Sequence, residues 1–352
     1  MAKTLNFAVV GLGMGGHHCK AITEAKNACL AAVCDLDEER LAAKVEHYGC
    51  KGYARYADLL KDKEIDAVCI VTESGKHAQM GIQAARAGKH IIVEKPIDVT
   101  PAAVKRLEDI VRETGVKVGC IFQSRMENCN LMLKRAIDKG KMGAVIGAHA
   151  HLPWWRGDDY FSGNHGTWRG TWKWDGGGSM MNQGIHTVDL IQWLAGRVER
   201  VCGFYRVHNH RIEAEDQTVA CLEFENGALG TFYATTCAYP EGAQRVYMFG
   251  SKGSFSRHGG KLEFYEMGTP KERERMMRLF GGSSTTEAGG KDPMAVSADG
   301  HMLIIEDLVK AVHQDRETVI PLSSAKHAVE IACAIYQSAR TGKAVRIRDI
   351  AR

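Results

Sequence analysis

The stretch FAVVGLGMGGHHCKAITEAKNACLAAVCD, residues 7–35, decides how the rest of this 352-residue chain is read. An apolar run at 7–10 leads into GLGMGG at 11–16, a helix-compatible stretch follows, and a second apolar run at 29–34 ends on Asp35. Gly11 permits a tight turn after a strand, and Gly13 lets the backbone come close to a pyrophosphate. Gly16 lets the helix pack on the strand, while the amides of its first turn, Leu12 and Met14 among them, face the phosphates. A glycine-rich turn alone arises by chance. Here strand, turn, helix, second strand and an acid about 20 residues on stand in the order that a dinucleotide fingerprint requires. Asp35 can accept hydrogen bonds from the adenosine ribose and repels a 2′-phosphate, so NAD is favoured over NADP. Arg40 is the only nearby cation in this reading, and its plain alternative is a solvated helix charge.

Strand and helix patterns alternate through the first third. A charged helix is expected over 38–48, a short one over 56–61, and a buried strand at 67–71. A helix over 77–87 closed by Gly88, a strand at 90–93, a helix over 101–114 and a strand at 116–122 follow. Runs that are apolar on both faces mark parallel strands, so a doubly wound sheet is the economical solution. Beyond residue 123 the pattern changes. A helix at 131–139 precedes strands of alternating polarity, such as 218–224 and 228–235, with the hairpin signal Asn226-Gly227 between them. The fold expected is α/β: a Rossmann doubly wound parallel sheet at 1–122, then an α+β domain at 123–352 with an open, mostly antiparallel sheet. Residues 266–300 are polar and read as a long irregular loop, either a lid, an oligomer arm or disorder. Helices at 303–314 and 325–341 close the chain.

Composition excludes several classes. The formal charge of +4 is dispersed, with no basic block, so nucleic acid and anionic membranes are not expected as partners. No apolar run is long enough to span a bilayer. The N-terminus runs straight into the first strand, and the 11 cysteines include no CxxC pair. Reduced thiols in a cytoplasmic protein are the expectation.

Three groups of residues could carry chemistry. Lys95 of Glu94-Lys95-Pro96 lies at the carboxyl end of a strand in the cofactor half, where ligands of such sheets bind. A lysine beside the cationic oxidised nicotinamide can act as a general base, although most lysines are surface charges. In Gly176-Gly177-Gly178-Ser179-Met180-Met181-Asn182-Gln183-Gly184-Ile185-His186, glycines feed a helix with Asn182 and His186 four residues apart on one face. His186 can hold and deprotonate a hydroxyl, and Asn182 can orient one; a buried structural histidine is the alternative. Five of the six tryptophans, Trp168 among them, fall at 154–174, interleaved with Arg156, Asp158, Asp159, Tyr160, His165 and Arg169. Indole faces stack on pyranose rings and the polar groups bind hydroxyls; an aromatic core or subunit interface would have the same composition. His149/His151 and His208/His210 read as same-face strand pairs with no third ligand, so no metal is expected. Glu215-Asp216 reads as a turn or a solvated pair.

With these pieces in this order, the chain resembles the Gfo/Idh/MocA oxidoreductases, the glucose–fructose oxidoreductase and inositol dehydrogenase family. The resemblance rests on GLGMGG, Asp35, VTESGKH, EKP, GGGSMMNQGIHTVDL, EDQTVACLEFENGALG and AIYQSARTGKAVRI. It implies that Lys95 and His186 form the acid/base pair at the reacting carbon. It also implies that Thr72 and His77 lie along the cofactor, and that Glu94 and Gln123 lie near the nicotinamide ribose, with Gln123 also serving the substrate. Inositol dehydrogenase-like members carry Asp where this chain has Asn182, which favours Lys95 as base. The string NQGIH is similar to members that act on glycosides or nucleotide-linked sugars, several of them at C3.

The expected activity is NAD-dependent oxidation of a pyranose hydroxyl. Alternatives are glycoside cleavage with bound, transiently reduced NAD, and a non-catalytic dinucleotide-sensing regulator. A homodimer or homotetramer is expected, through the open sheet.

Overall fold

The computed structural model describes residues 3–162, 167–282 and 299–350. Two compact units divide the chain, one of residues 1–123 and 297–326, the other of 124–296 and 327–352.

The first unit runs β1 (Leu5–Val10), α1 (Leu12–Glu24), β2 (Ala28–Cys34), α2 (Glu38–Tyr48), β3 (Lys51–Tyr53), α3 (Tyr56–Leu59) and β4 (Ala67–Ile70). It continues with α4 (His77–Arg86), β5 (His90–Val93), α5 (Pro101–Thr114) and β6 (Val118–Cys120). All six strands are parallel, in the order β3-β2-β1-β4-β5-β6. Helices cover both faces, which is why β4 reads as four consecutive buried apolar residues. Strand order reverses between β1 and β4, the switch point at which such sheets bind ligands. The helix Asp299–His313 also packs in this unit, burying Ile304, Ile305, Leu308 and Val309. Thr318 after it donates to the carbonyl of Val118 at 2.7 Å. The sequence division at 122/123 placed this segment in the second half, because an amphipathic pattern does not say whose core it covers.

The second unit holds α6 (Asn128–Asp138), β7 (Val145–Pro153), a π-helical stretch Ser179–Gly184, α7 (Ile185–Ala195), β8 (Val198–Arg206), β9 (Gln217–Phe224) and β10 (Leu229–Thr235). Then come β11 (Arg245–Gly250), β12 (Gly253–His258), β13 (Lys261–Glu266), α8 (Pro270–Phe280), the helix Leu322–Thr341 from residue 327 on, and β14 (Val345–Arg346). The eight-stranded sheet has the order β13-β12-β11-β7-β10-β9-β8-β14. Only β7 and β10 pair in parallel, so the sheet is mixed and mostly antiparallel. Gly227, at φ 84°, closes the expected β9–β10 hairpin.

One expectation fails here. The polar segment after 266 is not wholly irregular: 270–280 form α8, started by a capping box between Thr269 and Glu272 with Pro270 in the first turn. Residues 283–298, the rest of that loop, and His165 lie outside the described residues. Among the described residues no helix is long and apolar enough to cross a membrane.

Candidate functional site

In the first unit the turn after β1 is forced on glycine. Gly11 has φ 88°, and a Cβ there would stand 2.3 Å from the carbonyl oxygen of Val71, just past β4. The close approach of α1 to β1 falls at Gly15, whose added Cβ would meet Val9 at 2.9 Å. This corrects the role given to Gly16: the helix starts at Leu12, which turns Gly15 toward the strand. Gly16 instead faces the Lys44 amine, 3.5 Å from its Cβ position. Gly11 offers no side chain to cap helix α1, so first-turn amides beyond that of Leu12 remain available to an anion.

Asp35 closes this cradle from β2. Its Oδ2 accepts from the amide of Leu12 at 2.6 Å, and Arg40 Nη1 lies 3.3 Å from the same oxygen. Arg40 is therefore no solvated bystander, and it is not the only nearby cation: Lys44, one turn on in α2, also points at the glycine turn. Leu36, next to Asp35, is 85% exposed, an apolar side chain at a strand end that the sequence reading passed over.

Glu94 and Lys95 follow β5. Glu94 Oε1 lies 2.8 Å from His18 Nε2 and 3.5 Å from His301 Nε2, and its Oε2 accepts from the amide of Lys95 at 3.0 Å. Burial raises the Glu94 carboxyl, but the two imidazoles outweigh it and hold the group well below the ordinary range. Burial lowers His18 against the pull of Glu94. The Nδ1 atoms of His18 and His301 and Oε1 of Gln123 are buried without a partner among the described residues. His18 sits in the fingerprint and was not singled out; His301, 283 residues away, carried no local signal. Lys95 is half-buried, followed by a cis Pro96. His77 is 1% exposed, and its ring nitrogens lie 2.7 Å from the Pro96 carbonyl and 3.0 Å from that of Thr72. Its ring lies between these two loops, with each nitrogen facing a backbone carbonyl and its N–H donating to one of them. The Thr72 hydroxyl donates to Met80 Sδ at 3.4 Å.

In the second unit the glycine run ends in the π-helical stretch Ser179–Gly184, followed by α7. Asn182 lies in the π turn and His186 in the first turn of α7, four residues on and about one helical turn away. A Cβ on Gly178 would lie 1.9 Å from the carbonyl oxygen of Glu215. Glu215 is the anchor. Fully buried, it accepts from the amides of Gly178 (3.0 Å) and Met180 (3.0 Å), from the Tyr336 hydroxyl (2.6 Å) and from the Ser179 hydroxyl. Asp216 is equally buried and accepts from the amides of His208, Asn209 and His210. The reading of Glu215-Asp216 as a solvated pair is overturned: both carboxylates gather amides that strand and turn geometry leaves unpaired.

A polar network surrounds the π turn. Asn182 donates to Asp175 Oδ1 at 2.5 Å and accepts from the Tyr160 hydroxyl at 2.9 Å. Gln183 donates to that hydroxyl at 2.5 Å and accepts from Arg156 Nη2 at 3.0 Å. The Arg169 guanidinium lies 4.3 Å from the Tyr160 ring centroid and 5.5 Å from that of Trp168. Arg156, Tyr160, Trp168, Arg169 and Asn182 are thus brought together, with Asp175 as a carboxylate the sequence reading missed. His186 is half-buried at the start of α7. The tryptophans divide. Trp154 stacks under Arg156 at 5.0 Å, whereas Trp172 packs with Tyr205, Tyr336 and Arg340 in an aromatic cluster.

His149 and His151 do share a face of β7, with Thr231 and Tyr233 as their neighbours. His208 and His210, by contrast, lie in the loop between β8 and β9 and not on a strand. His210 meets Asp216 and Cys237 there.

Residues 5–122 match the model of an oxidoreductase family with an NAD-binding Rossmann fold, and 130–256 match the GFO/IDH/MocA C-terminal domain. Scyllo-inositol 2-dehydrogenase (NAD(+)) of Bacillus subtilis is 30% identical over 263 residues, 72% of this chain and 74% of that protein. The WlbA dehydrogenase from Bordetella pertussis, solved with NADH and UDP-GlcNAcA, superposes with a TM-score of 0.87 at 29% identity, covering 98% of both chains. Levoglucosan dehydrogenase, solved with NADH and levoglucosan, has a TM-score of 0.83 at 21% identity over 98% of this chain and 100% of its own, a likeness of fold.

Proposed function

The chain belongs to the GFO/IDH/MocA oxidoreductases, and from that premise we propose that it is an NAD-dependent dehydrogenase of a pyranose carried as a sugar nucleotide or glycoside, oxidised at C3. The observation that carries this reading is the buried network Arg156–Gln183–Tyr160–Asn182–Asp175 on the turn that leads into His186, flanked by Trp154, Trp168 and Arg169. Hydroxyl-rich ligands need such fixed donors and acceptors beside aromatic faces.

The first unit fits a dinucleotide. A backbone cradle closed to any Cβ at Gly11, first-turn amides of α1 beyond Leu12, and a carboxylate at the end of β2 that holds the Leu12 amide are what pyrophosphate and ribose require. Gly11, Leu12, Gly13, Met14 and Gly16 would hold the pyrophosphate, Asp35 the adenosine ribose, and exposed Leu36 the adenine face. Thr72, Glu94 and Gln123 would serve the nicotinamide half, with His77 acting by holding the loops. NAD, when bound, supplies the hydride acceptor. Lys95 takes the proton of the reacting hydroxyl, and His186 and Asn182, the latter fixed by Asp175 and Tyr160, hold neighbouring hydroxyls.

A homo-oligomer is part of the reading. The open face of the second sheet exposes Phe204 and Val219, paired across β8 and β9, at 58% and 44%, and Tyr247 on β11 at 37%, apolar groups that suit pairing with a second copy.

The test is a panel of UDP-sugars and glycosides with NAD, read as absorbance of the reduced cofactor. Lys95→Ala should lose roughly 100-fold or more of kcat while NADH binding is kept. Full turnover by that variant would remove Lys95 from the mechanism. Release of aglycone without net absorbance change would point to glycoside cleavage instead.

A further inference from the structure

The loop 207–216 brings three potential ligand atoms to one point in the second unit. Strands β9 and β10 pair with Gln217 opposite Thr235, and the Thr236 amide donates to the Asp216 carbonyl at 3.0 Å. That pairing sets Cys237 beside Asp216, and the loop folds back so that His210 meets both. His210 Nδ1 lies 3.3 Å from Asp216 Oδ2 and 3.6 Å from Cys237 Sγ, and the three atoms all fall within 4.8 Å of one another.

The 3.3 Å separation is long for a hydrogen bond from an imidazole to oxygen, and one Nδ1–H could serve only one of the two acceptors. Both separations suit the edges of a coordination tetrahedron. Bonds of about 2.05 Å to nitrogen and oxygen and about 2.3 Å to sulfur at tetrahedral angles give edges of about 3.3 Å and about 3.6 Å. The outer contacts are those of metal ligands as well. His210 Nε2 lies 2.8 Å from the Arg156 carbonyl, which accepts its proton and leaves Nδ1 for coordination. Asp216 is oriented by the amides of His208 (2.8 Å), Asn209 (2.8 Å) and His210 (3.0 Å). His210 and Asp216 are buried, at 4% and 0% exposure, while Cys237 is half-buried and leaves a path for water.

We propose that His210 Nδ1, Asp216 Oδ2 and Cys237 Sγ form a binding site for a divalent ion of the zinc class, with water as the fourth ligand. A mixed thiolate, imidazole and carboxylate set selects zinc or cobalt over magnesium or calcium. Its position suggests its use. His210 holds the Arg156 carbonyl, and the Arg156 guanidinium holds Gln183 of the network around Asn182, so the ion staples the loop 207–216 to the segment that supports that network.

The test is titration of chelator-stripped full-length protein with Co²⁺, following thiolate-to-cobalt charge-transfer absorbance, with zinc added to compete. One equivalent should bring the band to saturation, and zinc should erase it. Cys237→Ser should abolish the band, and His210→Gln should weaken cobalt binding more than tenfold, each with unchanged far-ultraviolet dichroism. No saturable band in the wild-type protein overturns the proposal. So does a band that persists in Cys237→Ser, since it would arise from another of the cysteines. If His210→Gln fails to fold, the serine variant decides alone.

Discussion

Removing the Glu215 carboxylate should cost the second unit most of its stability, whereas trading it for an amide should cost little. In Glu215→Ala the amides of Gly178 and Met180 and the hydroxyl of Tyr336 lose their acceptor in a fully buried place. The Ser179 amide and hydroxyl do not, because the Glu215 carbonyl at 2.9 Å and the Ala234 carbonyl at 3.3 Å still accept from them. Three stranded donors at about 1–3 kcal/mol each amount to roughly 3–9 kcal/mol, against a typical total stability of about 5–15 kcal/mol. Glu215→Gln can turn its oxygen toward those three donors and its NH₂ toward Ser179, so its cost should be about 1–2 kcal/mol. Burial also raises the Glu215 carboxyl despite Ser179 and Tyr336, which makes a neutral amide a fair substitute. All six tryptophans belong to the second unit, so indole fluorescence in a urea titration reports its unfolding. The reasoning fails if the alanine variant loses less than about 1 kcal/mol, or if glutamine is as damaging as alanine.

Other outcomes can be stated more briefly. Asp35→Ser should free Arg40 from its 3.3 Å ion pair and remove the charge facing a 2′-phosphate, improving NADPH binding about tenfold or more relative to NADH. Fluorescence titration of both cofactors checks this; a wild-type protein that binds them equally would void the argument. The His18–Glu94–His301 cluster predicts sensitivity to acid. His18 lies below its ordinary 6.5 when folded, so its stabilisation is complete above that value and is lost as the pH falls through the folded value. Glu94 lies below its ordinary 4.5, so it adds a second loss in the same direction at lower pH. Urea midpoints should fall between pH 7.5 and 5, and His18→Gln should flatten that decline; an unchanged slope in the variant would exclude His18 as its source.

Most of the first unit was legible in the chain itself, because its information is local. A buried parallel strand is apolar on both faces, a glycine turn is needed wherever backbone meets backbone, and caps such as Thr100-Pro101 announce helices one residue ahead. The motif positions Gly11, Asp35, Glu94 and Lys95 could be found for the same reason. What the local pattern could not settle was which of several neighbouring residues makes the contact: Gly15 rather than Gly16 meets β1, and Lys44 joins Arg40 at the turn.

The second unit shows the limit. Composition pointed to a cluster of tryptophans, arginines and tyrosine near Asn182, and much of it assembles. Its supports came from afar in the chain: Glu215 for the π turn, Tyr336 behind it, and Asp216 with Cys237 for the loop of His210. Likewise His301 reaches Glu94 from a helix whose apolar face named no partner. Sequence periodicity reports the environment of each side chain, polar or apolar, and so determines elements and layers. Whether a polar residue is a solvated turn or a buried anchor depends on which unpaired donors the fold delivers to it. Those donors come from residues tens to hundreds of positions away, and only the tertiary structure decides where they meet.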